Sequence, residues 1–480
     1  MSNKSIIDVK DYIEQQKVSS FSLLIFALCF AVVVLDGYDT VAIGYVAQPI
    51  VDNWKVSREA LAPVMSAALV GLGLGAFLGG PLADRFGRRL LIVGSTAVFG
   101  LFSGLSSVAP NIETLMLLRL LTGLGLGAAM PNSVALMSEF APKRVRSLMV
   151  NSQLMGFTAG SAVAGAAAAW LLPQFGWQSV FLAGGIAPAF LVPILFGFLP
   201  ESAQFMVLKN PSDPRILRIL RKLSRSDLPP DALFGLANGN SIKSRKNWNF
   251  KEQCRHIFSI EYRTSTVLLW IVYFMNLTIW YLLAGWLPTL LRDAGFSLQR
   301  AAAVSSILPI GGCIGTVLVG FVMDRFNAKR VVGWLYITVA AMTPIIGQAL
   351  GMPALLGVLL FLVGAMIASA GISVSSIAAQ CYGSECRSTG VSWMYAVGRF
   401  GGVFGMFVGA SLAGRGWRLA SVFDILAVPS IIAGVSLLIL ARSALSSRNR
   451  PMDLRVQPLH ECKGHGEDNP YDHKIFVEKR

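Results

Sequence analysis

The chain has 480 residues, of which 54% are hydrophobic and 14% charged, and its mean hydropathy is +0.60. A water-soluble domain carries roughly 25% charged residues, so an ordinary soluble enzyme is excluded and a chain embedded in lipid is expected. The formal net charge of +15 would suit nucleic acid, but the basic residues fall between apolar runs and mostly on one side, as membrane topology demands, so no nucleic-acid partner is expected.

Residues 1–19 are polar and of mixed charge, as in a cytoplasmic tail. The first apolar run is too long for a signal-peptide core and lacks a small-residue cleavage site, so it is expected to stay in the protein. It opens a series of twelve, near 20–47, 60–83, 90–109, 112–137, 147–172, 177–199, 265–291, 301–323, 331–350, 354–380, 388–413 and 418–441. Each reaches the roughly 20 residues that a helix needs to cross the hydrocarbon layer, where backbone polar groups must pair internally. Arg85, Arg88, Arg89, Lys143, Arg144, Arg146, Arg325, Lys329, Arg330 and Arg387 fall in one set of loops, together with the long middle loop. The alternating set holds Lys55, Arg58, Arg292, Arg300, Arg415 and Arg418. The richer side is expected to be cytoplasmic, and both termini with it.

The middle segment, 200–264, is the one long polar stretch inside the chain, and its basic residues outnumber its acids. Residues 211–225 suit a basic surface helix, Asn238-Gly239-Asn240 a flexible stretch, and the whole a cytoplasmic linker with some contact to anionic lipid. The expected organisation is therefore a six-helix half over 20–199, the linker, a second half over 265–441 and a tail over 442–480. The tail holds His460, Cys462, His465 and His473, which suit a polar tail better than a metal site. The six cysteines, Cys29, Cys254, Cys313, Cys381, Cys386 and Cys462, are scattered and imply no disulfide framework.

One stretch occurs twice. Gly79-Gly80-Pro81-Leu82-Ala83-Asp84-Arg85-Phe86-Gly87-Arg88-Arg89 is echoed 240 residues later by Gly320-Phe321-Val322-Met323-Asp324-Arg325-Phe326-Asn327-Ala328-Lys329-Arg330, at half of the chain length. A half-length repeat in a hydrophobic chain marks a transporter built from two parallel halves.

The turn resembles the Gly-x-x-x-Asp-Arg-x-Gly-Arg-Arg hallmark of the major facilitator superfamily, over essentially residues 20–441. Asp36-Gly37-Tyr38-Asp39 resembles the Asp-Gly-aromatic-Asp motif of its aromatic acid:proton symporter family. MSAALVGLGLGAFLGGPLADRFGRR (65–89), LLRLLTGLGLGAAMPN (117–132), LPES (199–202), WLPTLLRDAG (286–295) and GVSWMYAVGRFGG (390–402) support it, and look most like the 4-hydroxybenzoate and protocatechuate branch. The resemblance implies an all-α membrane protein with twelve transmembrane helices in two pseudo-symmetric six-helix halves, the major facilitator fold. It implies a monomer in the lipid of the inner membrane that takes up aromatic carboxylates with protons, driven by the proton gradient and needing no cofactor. An exporter or facilitator of another small organic molecule is the alternative. Gly160-Ser161 stands where antiporters of the superfamily show Gly-Pro, which favours symport. Asn327-Ala328 replaces Gly87-Arg88 in the second turn, which suggests a looser gate there. No phosphate-binding loop, intramembrane metal cluster or appended catalytic domain points to an enzyme.

The ionisable residues deep in the apolar runs are Asp36, Asp39, Arg119 and Arg399; each costs several kcal/mol to bury and needs a partner, a wet cavity or a function. No histidine lies in a predicted helix, so a carboxylate must carry any coupled proton. Asp36 and Asp39 share a helix face and repel each other in a low dielectric, which suits proton coupling. Both lie roughly 20–27 Å above the cytoplasmic helix end. Arg119 lies at a similar depth and can pair with them, and a static salt bridge is the plainer alternative. Arg399, with no acid in its own helix, offers a flat fork for a substrate carboxylate, or else pairs with a carbonyl or a distant acid. Asn276, opposite Asp36 by the 240 offset, and Tyr395 join Arg399 and Arg119 as substrate-binding candidates; other aromatic residues of runs 7 and 11, Trp280 and Tyr281 among them, could face a planar ring. Gating is expected of Gly80, Asp84, Arg85, Arg89, Glu139 and Arg146 in the first half, and of Asp324, Arg325, Glu385 and Arg387 in the second. No catalytic or metal-binding residue is expected.

Overall fold

The computed structural model describes residues 6–224, 233–235, 257–259, 262–382 and 387–448. Among them, twelve helices are long and apolar enough to cross a membrane: α1 (Ser20–Trp54), α2 (Arg58–Phe86), α3 (Arg88–Ser106), α4 (Ile112–Phe140), α5 (Arg146–Phe175), α6 (Gln178–Phe198), α7 (Arg263–Asp293), α8 (Leu298–Arg325), α9 (Ala328–Gln348), α10 (Pro353–Cys381), α11 (Arg387–Gly414) and α12 (Leu419–Arg448). They coincide with the twelve apolar runs and mostly overshoot them, because a helix continues until its end is capped. Ser19, Ser57, Asn111 and Ser297 each accept a backbone N–H at the start of α1, α2, α4 and α8, at 2.9–3.3 Å.

The packing repeats as the sequence does. In the first half α1 lies on α5, α2 on α4, and α3 on α4 and α6; in the second, α7 lies on α11, α8 on α10, and α9 on α10. The halves meet along α5–α8 and α2–α11, two contacts that the repeat interchanges, while α1 faces α7 across the centre. Glycine allows the closest approach: a Cβ on Gly37 would fall on the Phe157 carbonyl, and one on Gly160 on the Val34 carbonyl. The backbones of α1 and α5 therefore touch beside the Asp36–Asp39 stretch.

The face carrying Arg85–Arg89 is called the basic face here. From Ile6 on, the segment expected as a polar cytoplasmic tail packs on it. Ile6–Asp8 pairs in parallel with Leu233–Gly235, and the helix Val9–Gln15 buries Val9 and Ile13. The helix Pro214–Ser224, which the sequence places at 211–225, buries Ile216, Leu220 and Leu223 in the same apolar cluster as the first half. Apolar residues four apart on these short helices form a narrow stripe that their polar composition hides. Asn238-Gly239-Asn240 and the cluster His460, Cys462, His465 and His473 lie outside the described residues.

Candidate functional site

The two deep aspartates have different surroundings. Asp39 is 1% exposed and Arg119 0%. Arg119, from α4, donates from Nη2 to Asp39 Oδ2 at 2.5 Å, from Nη1 to Oδ1 at 3.2 Å and from Nη2 to the Asp39 carbonyl at 3.1 Å. Ser103 of α3 donates to the same carboxylate, and the Phe181 ring covers the guanidinium at 5.1 Å. Asp36 accepts a hydrogen bond from Thr40 Oγ1 at 3.1 Å and lines a cavity of about 140 Å³ between the halves.

Arg399 lines that cavity too. It has no acid in its own helix, but a distant one, Asp36, shares its cavity once α1 is brought against the second half. Its Nη1 donates to Tyr281 Oη at 3.2 Å, a neutral partner. Arg119, expected among the substrate ligands, does not line the cavity; its hydrogen bonds to Asp39 hold it inside the first half. Asn276 and Tyr395 do line it. Asn276 Oδ1 accepts from Tyr336 Oη at 2.8 Å, Tyr395 Oη lies 2.7 Å from Ser375 Oγ, and the Tyr395 ring meets Tyr273 edge-on at 5.1 Å. Tyr273, Asn276, Leu277, Trp280 and Tyr281 form one stripe of α7 facing the cavity, at the i, i+3, i+4, i+7, i+8 spacing of a single helix face. Phe157 of α5 completes an aromatic wall.

At the basic face Asp84 is exposed and has no hydrogen-bond or ion-pair partner among the described residues, although its position at a helix end suggests bonds to neighbouring ends. Gly80 and Arg85 are also exposed, with Arg85 over the Phe86 ring at 5.3 Å. Arg89 donates to the Phe196 carbonyl. Glu139 and Arg146, expected as neighbouring gate charges, have separate partners: Glu139 holds Arg88 and the Ser202 hydroxyl, and Arg146 holds Glu14 at 3.0 Å. Glu201, which stands in LPES, is a residue that sequence reasoning missed. Its Oε1 accepts the backbone N–H groups of Arg88 at 2.9 Å and Arg89 at 3.2 Å, placing a carboxylate at the positive end of α3. Gly87 precedes that helix at φ 94°, a conformation glycine adopts without strain. The second turn is built differently, for Asn327 at φ −62° caps α9 with its own side chain. Arg325 is exposed. The side chains of Asp324 and Arg387, and all of Glu385, lie outside the described residues.

On the opposite face the halves are tied together. Arg58 of α2 donates to both oxygens of Asp293 at 2.5 and 2.7 Å and to the Ala413 carbonyl at 3.3 Å. Arg292 donates to Asp52 at 3.2 Å, a pair whose members stand 240 residues apart and so at equivalent positions in the two halves. Among the described residues, the ion pairs that bridge the halves all lie on this face. In sequence these four residues read as ordinary loop charges.

A model of the Major Facilitator Superfamily matches residues 26–250 and 269–470. The chain is 42% identical over 433 residues to the 4-hydroxybenzoate transporter PcaK of Pseudomonas aeruginosa, covering 90% of this chain and 95% of that one. It is 39% identical over 432 residues to a gallate transporter of Pseudomonas putida, covering 90% and 94%. Among solved structures, the inward-open xylose transporter XylE of E. coli matches with a TM-score of 0.68 at 18% identity, over 87% of this chain and 95% of that one, a likeness of fold.

Proposed function

Because the chain belongs to the Major Facilitator Superfamily, we propose that it takes up aromatic carboxylates such as 4-hydroxybenzoate or protocatechuate, together with protons, across the inner membrane by alternating access. The observation that carries this reading is one aromatic-walled cavity holding a single guanidinium, Arg399, and a single carboxylate, Asp36. The names of the relatives, which carry 4-hydroxybenzoate and gallate, support the substrate class.

An aromatic acid is an anion at neutral pH and needs a fixed positive partner in a low dielectric. Arg399 supplies it with a two-pronged donor, while Tyr281 steadies the guanidinium without neutralising it. The rings of Tyr273, Trp280, Tyr281 and Phe157 suit a flat aromatic body. A charged Asp36 competes with the substrate for Arg399, whereas a protonated Asp36 leaves the whole positive field to the substrate. Proton and anion thus favour each other's entry, and loss of the proton expels the acid. Asp39, already committed to Arg119, holds α1, α3 and α4 together, so the proton step falls to Asp36. With the basic face cytoplasmic and both termini on that side, the ion pairs across the opposite face close the outside of an inward-facing state. One chain completes the cavity, so a monomer suffices, and no cofactor enters these steps.

The test is binding of 4-hydroxybenzoate to purified protein, with accumulation followed in vesicles. Arg399→Ala should lose binding, and a protonophore should collapse accumulation by the wild type. Wild-type affinity in Arg399→Ala would move the anion site elsewhere; accumulation that survives the protonophore would favour a facilitator.

A further inference from the structure

A buried indole N–H ordinarily finds an acceptor. Trp286 of α7 follows that rule, donating to the Met406 carbonyl at 3.0 Å. Trp280, six residues earlier in the same helix, does not: it is 5% exposed, and its Nε1 has no hydrogen-bond partner among the described residues. Trp177 and Trp270 also lack one, but Trp177 sits edge-on against the rings of Trp54 and Phe181 at 5.3 and 6.1 Å and Trp270 packs against those of Phe258 and Trp393 at 5.6 and 6.3 Å, and neither lines the substrate cavity. Trp280 is set apart by its place in the wall of the substrate cavity.

That place is the outer end. A Cβ on Gly401 would fall on the Phe274 carbonyl and one on Gly405 on the Thr278 carbonyl, so the backbone of Arg399 is level with Val272 of α7. The backbone of Trp280 stands about 12 Å further outward, at 1.5 Å per residue. Beside Phe157 it separates the cavity from a void of about 10 Å³ lined by Tyr45, Ser161 and Ser305. A benzoate whose carboxylate is held by Arg399 can lie along this axis, its far ring positions toward the indole.

We infer that Trp280 forms a subsite that reads the ring hydroxyl of the substrate, its N–H donating to the phenolic oxygen while Arg399 holds the carboxylate. The inference rests on the aromatic-carboxylate reading above and adds to it the residue that tells a hydroxylated ring from a bare one. A site with a buried donor left unpaired rejects the analogue that cannot pair with it, far more than an apolar pocket rejects an extra hydroxyl.

The experiment is equilibrium binding of benzoate, 4-methylbenzoate and 4-hydroxybenzoate to the purified full chain and to its Trp280→Phe variant. 4-Methylbenzoate matches the hydroxy acid in shape but offers no acceptor. The wild type should favour 4-hydroxybenzoate over 4-methylbenzoate by about tenfold, and Trp280→Phe should narrow that ratio to within about twofold. A wild-type ratio near one overturns the subsite without any variant, and so decides the matter if Trp280→Phe does not fold. An unchanged ratio in Trp280→Phe also overturns it, and would assign the indole N–H to a water in the small void. Failure of the wild type to bind any of the three acids would instead overturn the aromatic-carboxylate reading, and the subsite with it.

Discussion

Asp36 and Asp39 stand three residues apart on α1, yet Arg119 holds Asp39 at 2.5 Å while Asp36 shares a cavity with Arg399. Their substitutions should therefore fail in different ways. Asp39→Asn leaves Arg119 a buried charge without its counter-ion, and breaking such a pair costs about 3–5 kcal/mol. Its melting temperature and membrane abundance should fall; wild-type stability would show that the pair holds nothing together. Asp36→Asn removes a cavity-facing group, so abundance should be normal while proton-driven accumulation is lost. Arg399→Lys keeps the charge but loses the fork, and should weaken substrate binding by about 1.5–3 kcal/mol, one charge-assisted hydrogen bond. Titration calorimetry against the wild type checks the amount.

At the scale of elements, the helix ends carry the ion pairs that join the halves, and the alternating-access proposal makes these contacts specific to one state. Arg58–Asp293 joins the start of α2 to the end of α7, and Arg292–Asp52 joins the ends of α7 and α1. Both pairs are partly exposed, so each is worth only about 0.2–1 kcal/mol. Removing both with Arg58→Ala and Asp52→Ala should shift the population toward the outward-open state by several-fold rather than abolish transport. A cysteine introduced at Leu287, which lines the small outer void, should then react faster with an impermeant thiol reagent from outside, in a background without native cysteines. An unchanged labelling rate would remove these pairs from the gate. At the basic face, Glu201 caps α3 and Glu14 holds Arg146, contacts that join the start of the linker and the N-terminal segment to the first half.

Across the whole molecule, two similar bundles meet along α5–α8 and α2–α11 around one cavity, an arrangement that rocking of one half against the other can open to either side. Asp84 has no partner among the described residues in the state seen here. Under the alternating-access proposal, its contribution belongs to the state in which the basic ends of the halves come together. Asp84→Asn should accordingly slow turnover while leaving equilibrium binding within about twofold of wild type, a near-neutral change in ground-state energy. Stopped-flow uptake and equilibrium binding, measured side by side, separate the two; a collapse of affinity with normal turnover of bound substrate would argue against gating.

Hydropathy runs, the sidedness of Arg and Lys, and the repeat of Asp84-Arg85 as Asp324-Arg325 are local signals. From them the sequence by itself determined twelve spans, their expected orientation and a two-half architecture. It also singled out Asp36, Asp39, Arg119 and Arg399, because a charge is conspicuous in an apolar run. Tertiary structure alone decided which charge meets which. Asp39 and Arg119 are 80 residues apart, Arg88 and Glu201 113, and Arg58 and Asp293 235, and no period in the chain encodes those distances. The membrane helices are apolar on nearly every side, so they lack the one-sided pattern that tells which face of a soluble helix turns inward. Whether Asp36 or Asp39 faces the cavity depends on a small rotation of α1, set by the contact of Gly37 and Gly160 with the facing backbones, and only packing supplies it.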